Sequence, residues 1–193
     1  MRNIILLLLA LFATTNAFAQ KIEDVAVTIS PSLQEQGEIA YSGKPLTWDR
    51  FKGKPDNSCG YVAMTYSGIK MRYTYATRNG ITTAQVQLCP YMEENLSWYK
   101  AEGHDDYTLA HEQKHFDITA LVTQEFATEL KKQSFTVSNF SAALKQMHQE
   151  YLHKLAQMQA QYDEETEHGV NAERQKKWSK QLSEELQRAG IGA

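Results

Sequence analysis

The pentapeptide His111-Glu112-Gln113-Lys114-His115 places two imidazoles and a carboxylate at a spacing that can do metal chemistry. Residues i and i+4 of an α-helix lie about 40° apart around the axis and about 6 Å apart in height, so both imidazoles can reach one ion. Glu112 falls about 60° from His115 on the same side, where its carboxylate can act on a water without binding the metal itself. The chemistry predicted is zinc-assisted hydrolysis: the metal brings a water's pKa towards neutral and polarises a carbonyl, and the glutamate carries the proton to the leaving amine. Without a metal, the same residues would be two partly buried, hydrogen-bonded histidines and a glutamate on an ordinary solvated face.

A catalytic zinc site takes three protein ligands and keeps a fourth position open. Glu125 cannot be the third, since it lies about 15 Å beyond His115 along the same helix, and Asp117 points about 200° away around it. His104 upstream, His148, Glu150 and His153 on a following helix, and Asp163 and His168 in an acidic stretch remain. Spacing favours His168, because the neighbouring Gly169 has no side chain to keep backbone and ligand apart. His148 lies near an apolar stripe, where a packing histidine is the ordinary case.

The elements that must position these residues follow from periodicity. Short β-branched and aromatic runs over 25–29, 60–66, 70–77 and 82–88 predict strands, with turns at 67–68 and 78–80. Helical spacing of apolar residues predicts helices over 107–132, 139–161 and 172–186, the last with Gln175, Trp178, Leu182 and Leu186 on one face. Ser138 or Asn139 and Asn171 are the candidate caps. The polar stretch 162–169, ending in glycine, is expected to be a loop. The fold class is therefore α+β: a small N-terminal antiparallel sheet packed on three C-terminal helices, the first a zincin-like active-site helix. One domain over 20–193 is expected, with the sheet part at about 22–92 and the helical part at about 105–189.

Residues 1–19 have the layout of a secretory signal: Arg2, a short apolar run from Ile4 to Phe12, and Ala17-Phe18-Ala19 as the cleavage site. Export to the periplasm or the medium is the expectation, with no membrane anchor after cleavage. The formal charge of -3 and the lack of a basic run exclude a nucleic-acid footprint. In an oxidising compartment Cys59 and Cys89 are candidates for a disulfide, with two separate buried thiols as the alternative.

Three segments carry a resemblance to a known family: "LTWDRFKGKP" (46–55), "LAHEQKHFDIT" (109–119) and "YDEETEHG" (162–169). In content, order and separation they resemble a bacterial domain of unknown function described as predicted secreted zinc-dependent proteases, over roughly residues 40–188. The resemblance implies a metallopeptidase-like helical half, Zn2+ as cofactor, His111 and His115 as ligands and Glu112 as the base. It also singles out Tyr162, Asp163, Thr166 and His168, strengthening His168 as third ligand. Asp163 is then expected to orient an imidazole, and Tyr162 either to donate to an oxyanion or to close the helix as a buried aromatic. Trp48, Phe51 and Gly53 are expected to plug the seam between sheet and helices. The expected function is an exported zinc metallohydrolase acting on a peptide or protein substrate; a non-catalytic zinc-binding accessory protein is the alternative.

Overall fold

The computed structural model describes residues 20–191; the expected signal at 1–19 lies outside them. Strand β5 (Ile81–Glu93) is the spine of an α+β fold. Along its first half, Thr82, Ala84, Val86 and Leu88 are buried while Ile81, Thr83 and Gln85 are exposed, the period of two that leaves one sheet face open and covers the other. Strand β4 (Ser67–Arg78) pairs antiparallel with β5 through a turn in which Asn79 and Gly80 both adopt positive φ, the requirement of a tight hairpin. The expected turn at 67–68 is instead the start of β4.

The other edge of β5 is shared end to end. β1 (Ile22–Ile29) lies parallel beside residues 82–88, and β2 (Glu38–Ala40) lies antiparallel beside 91–93. The expectation of an antiparallel sheet is corrected for β1: the chain reverses between two strands on one edge, so one of them must run with β5. Two short strands, β3 (Ala63–Met64) and β6 (Trp98–Tyr99), form a separate ladder, leaving only part of the expected 60–66 strand.

Helix α1 (Asp106–Leu130) runs through the centre, with α2 (Phe140–Thr166) and α3 (Ala172–Arg188) packed against it. Asp105 caps α1 by accepting from the Thr108 N–H at 2.7 Å, and Asn171 caps α3 by accepting from the Arg174 N–H at 3.2 Å. Ile118, Val122 and Phe126 of α1 meet Val86 and Leu88 of the sheet and Phe140 and Leu144 of α2 in one core. Truncating Phe126, which is fully buried, would cost about 3–5 kcal/mol. No helix of the described residues is long and apolar enough to cross a membrane.

Two further differences from expectation concern the end of α2 and the cysteines. The first is that α2 does not stop at 161 but continues to Thr166, because Tyr162 and Thr166 are buried and extend its inward face while Gln161 and Glu164 face outward. Glu167, His168 and Gly169 then end the helix with three consecutive positive φ angles of 51°, 52° and 87°. The second concerns the cysteines, which are both free. Cys89 is buried in β5 against Leu33 and Ala40, whereas Cys59 lies on the loop before β3 with its thiol 3.2 Å from the Asp56 carbonyl. The expected disulfide is not formed.

Candidate metal centre

His111 and His115 project from one face of α1, and Asp163 reaches them from the last turns of α2. Asp163 Oδ1 lies 3.1 Å from His111 Nε2 and 3.0 Å from His115 Nε2. One donor atom from each of the three residues lies within 4.8 Å of those from the other two, the grouping required to hold a cation. Donors of a tetrahedral site with bonds of about 2 Å stand about 3.3 Å apart, so little movement separates these atoms from that geometry. Two imidazoles and a carboxylate are also a donor set that zinc accepts.

His168 was the favoured third ligand from the sequence, and the structure places it outside this group. Its Nδ1 is 3.7 Å from Asp163 Oδ1, its side chain is 47% exposed, and its ring packs on Tyr61 at 4.5 Å. The reason is the longer helix. Asp163 lies one turn beyond Gln159 on the inward face of α2, while His168 is two residues past the helix end in a left-handed conformation that turns it to the rim. The remaining candidates are elsewhere: His104 packs on Trp48 and Tyr99, His148 is 2.7 Å from the Ile69 carbonyl and stacks on Phe126, and Glu150 accepts from Gln146. His153 is exposed on α2.

The electrostatics are those of a coupled charge cluster. Burial alone would lower the pKa of His115, but its hydrogen bond to Asp163 and the nearby charge of Glu112 outweigh this and raise it. Burial would likewise raise the pKa of Asp163, yet the hydrogen bonds from His111 and His115 hold it well below the usual carboxylate range. Glu112 is only 3% exposed, and its Oε2 meets no hydrogen-bond partner among the described residues. An unpartnered buried carboxylate oxygen is costly, and Glu112 is among the residues lining the cleft that His111, His115 and Asp163 also line. That cleft has a volume of about 970 Å³.

The residues behind the two histidines fix their orientation. Gln175 of α3 donates through Nε2 to the Tyr107 carbonyl at 3.4 Å, which turns its Oε1 to His111 Nδ1 at 3.1 Å. When a metal binds, Nδ1 carries the proton towards that oxygen and Nε2 offers its lone pair to the ion. Tyr162 is fully buried, stacked on the His111 ring at 4.6 Å and edge-on to His115, so it is the buried aromatic of the two roles expected for it. Burial pushes its hydroxyl pKa up. Thr166 is also buried, donating to the Tyr162 carbonyl at 2.7 Å and accepting from the Gly169 N–H at 3.3 Å. Gly169 packs against His111, where a Cβ would stand 3.4 Å from the ring, and the Tyr107 hydroxyl donates to its carbonyl at 2.7 Å.

The middle of the pentapeptide is structural. Gln113 accepts from the Leu46 N–H at 2.6 Å and donates to Asp117 at 2.8 Å, and Lys114 and Tyr41 also bond to that buried aspartate. Leu46 and Phe51 pack with Phe116 and Met92, with Trp48 alongside, so the first of the three motif segments backs α1. Gln175 was missed as a site residue because it reads as the first member of an apolar face. A lone amide opening the stripe Gln175, Trp178, Leu182 and Leu186 was the available signal.

Residues 30–169 match the family described as "Bacterial protein of unknown function (DUF922)", and the chain belongs to that family. No curated protein and no solved structure matches it.

Proposed function

We propose that the protein is an exported zinc-dependent hydrolase that cleaves peptide bonds, with His111, His115 and Asp163 as the metal ligands. The observation that carries this reading is the buried carboxylate of Glu112, one oxygen of it unpartnered, in a residue that lines the cleft beside a convergent His-His-Asp group. A purely structural metal site has no use for such an oxygen, and it would be closed rather than open to a cleft. Export rests on the signal-like residues 1–19.

Zinc, when bound, supplies a Lewis acid and makes water nucleophilic near neutral pH. The chain supplies the rest. Glu112 takes the proton from the attacking water on its carboxylate and returns it to the leaving amine. Gln175 keeps the lone pair of His111 on Nε2, facing the ligand group, and Tyr162 fixes the plane of that ring. The Thr65 hydroxyl, 3.3 Å from the Glu112 carbonyl, ties the far wall of the cleft to the residue that moves the proton.

The test is hydrolysis of fluorescein-labelled casein and of a mixed peptide library by the zinc-loaded protein and its Glu112→Gln variant. Wild-type turnover with about a 10²–10⁴-fold loss in the variant, at unchanged zinc content, is expected. Absence of hydrolysis by zinc-replete wild type, or equal turnover by both proteins, would overturn the proposal.

A further inference from the structure

Opposite α1 the cleft is walled by an unbroken run of chain, Gly60 to Ser67, all eight residues of which line it. Strand β3 lies in this run, and its register is fixed. The Lys100 N–H donates to the Val62 carbonyl at 2.7 Å, Met64 pairs with Trp98, and the Tyr66 N–H donates to Ser97 Oγ at 2.9 Å. Antiparallel ladders alternate, so the main-chain groups of residues 62, 64 and 66 are spent on the β6 side. Those of Ala63 and Thr65 point the other way, and no main-chain partner meets them among the described residues. An unpaired edge of about 7 Å, the rise from Ala63 to Thr65, is thus left along the cleft. It is anchored beside the chemistry by the Thr65 to Glu112 hydrogen bond.

Four large side chains stand exposed around the same cleft. Tyr61, Tyr66 and Tyr107 are 46%, 47% and 46% exposed, and Val170 is 80% exposed; all four line the cleft. Large apolar side chains left in water around a concave site mark a surface that is covered in use.

We infer that the cleft binds an extended, unstructured peptide with apolar side chains as an added strand on the free edge of β3, its main chain bonding to Ala63 and Thr65 and its side chains lying against the tyrosine rim. This inference rests on the hydrolase reading of the site and names its substrate class. Main-chain bonds would supply affinity without regard to sequence, and the rim would select apolar side chains. The added strand would lie with a peptide bond beside Glu112 and the His-His-Asp group.

The experiment uses zinc-loaded Glu112→Gln protein and a pool of unstructured nonapeptides rich in Leu, Phe and Tyr, with binding read by fluorescence anisotropy. The tightest binder is resynthesised with a single N-methyl group at each backbone nitrogen in turn. Strand addition predicts a loss of about three- to tenfold at every second position over the bound stretch and little loss between them, since only alternate N–H groups face β3. Ala63→Pro, which removes one edge donor, should weaken the parent peptide similarly while zinc content holds. No binding by any peptide, or a loss without alternation, overturns the inference. Cleavage of these peptides by wild type without alternation would overturn strand addition and leave the hydrolase standing. Alternating binding without cleavage would do the reverse.

Discussion

His111 Nδ1 lies 3.1 Å from Oε1 of Gln175, a residue 64 positions away on another helix, and this contact decides which imidazole nitrogen is available to a metal. Hydrogen bonds of this kind behind a ligand commonly change metal affinity by about 10–100-fold. Gln175→Leu is therefore expected to weaken zinc binding by about that factor with the fold intact, while Gln175→Glu, which keeps an acceptor, retains most of it. Competition against a chromophoric chelator measures both; unchanged affinity in Gln175→Leu would remove the orienting role.

The charge cluster makes the metal-free protein sensitive to pH on both sides. His115 has a pKa raised above its ordinary 6.5, so its contribution is complete below that value and is lost as pH rises through the folded pKa. Asp163 has a pKa lowered from 3.8, so its contribution is present above that value and is lost as pH falls towards the folded pKa. Both act together between these ordinary values. Thermal midpoints of chelated protein should therefore be highest there and decline above about pH 6.5, with Asp163→Asn flattening the decline. A midpoint that rises steadily across neutral pH would contradict the assignment.

Gly53 is expected to be intolerant of a side chain. A Cβ there would stand 2.8 Å from the Ser97 carbonyl oxygen and 2.9 Å from that of Asn95, both backbone atoms, and the Gly53 N–H already donates to Ser97 at 2.8 Å. Gly53→Ala should cost about 1–3 kcal/mol in denaturant unfolding. Gly60 has open space around it, and Gly60→Ala should change stability by less than about 1 kcal/mol. Equal effects would mean that the close approach of the two loops does not matter.

Much of this arrangement is legible in the chain itself. The histidine face of α1, the α+β division and the hairpin at Asn79-Gly80 all follow from local spacing and turn chemistry. Asp163 was visible only as a candidate, because its polar neighbours read as a loop. Those neighbours are the solvent face of a continuing helix whose buried face is Tyr162 and Thr166. Parallel β1 and the Gln175 contact were not legible at all. Each depends on which distant segments meet, Ile22 with Thr82 in one case and Gln175 with His111 in the other, and no local periodicity encodes that.

The most direct test of the metal centre is elemental analysis of protein purified without chelator, for wild type and for the His111→Ala, Asp163→Ala and His168→Ala variants. About one zinc per chain is expected in wild type and in His168→Ala, and less than about 0.1 in the other two. Zinc retained by Asp163→Ala but lost from His168→Ala would move the third ligand to the rim. A wild type without zinc even after remetallation would contradict the account at its centre.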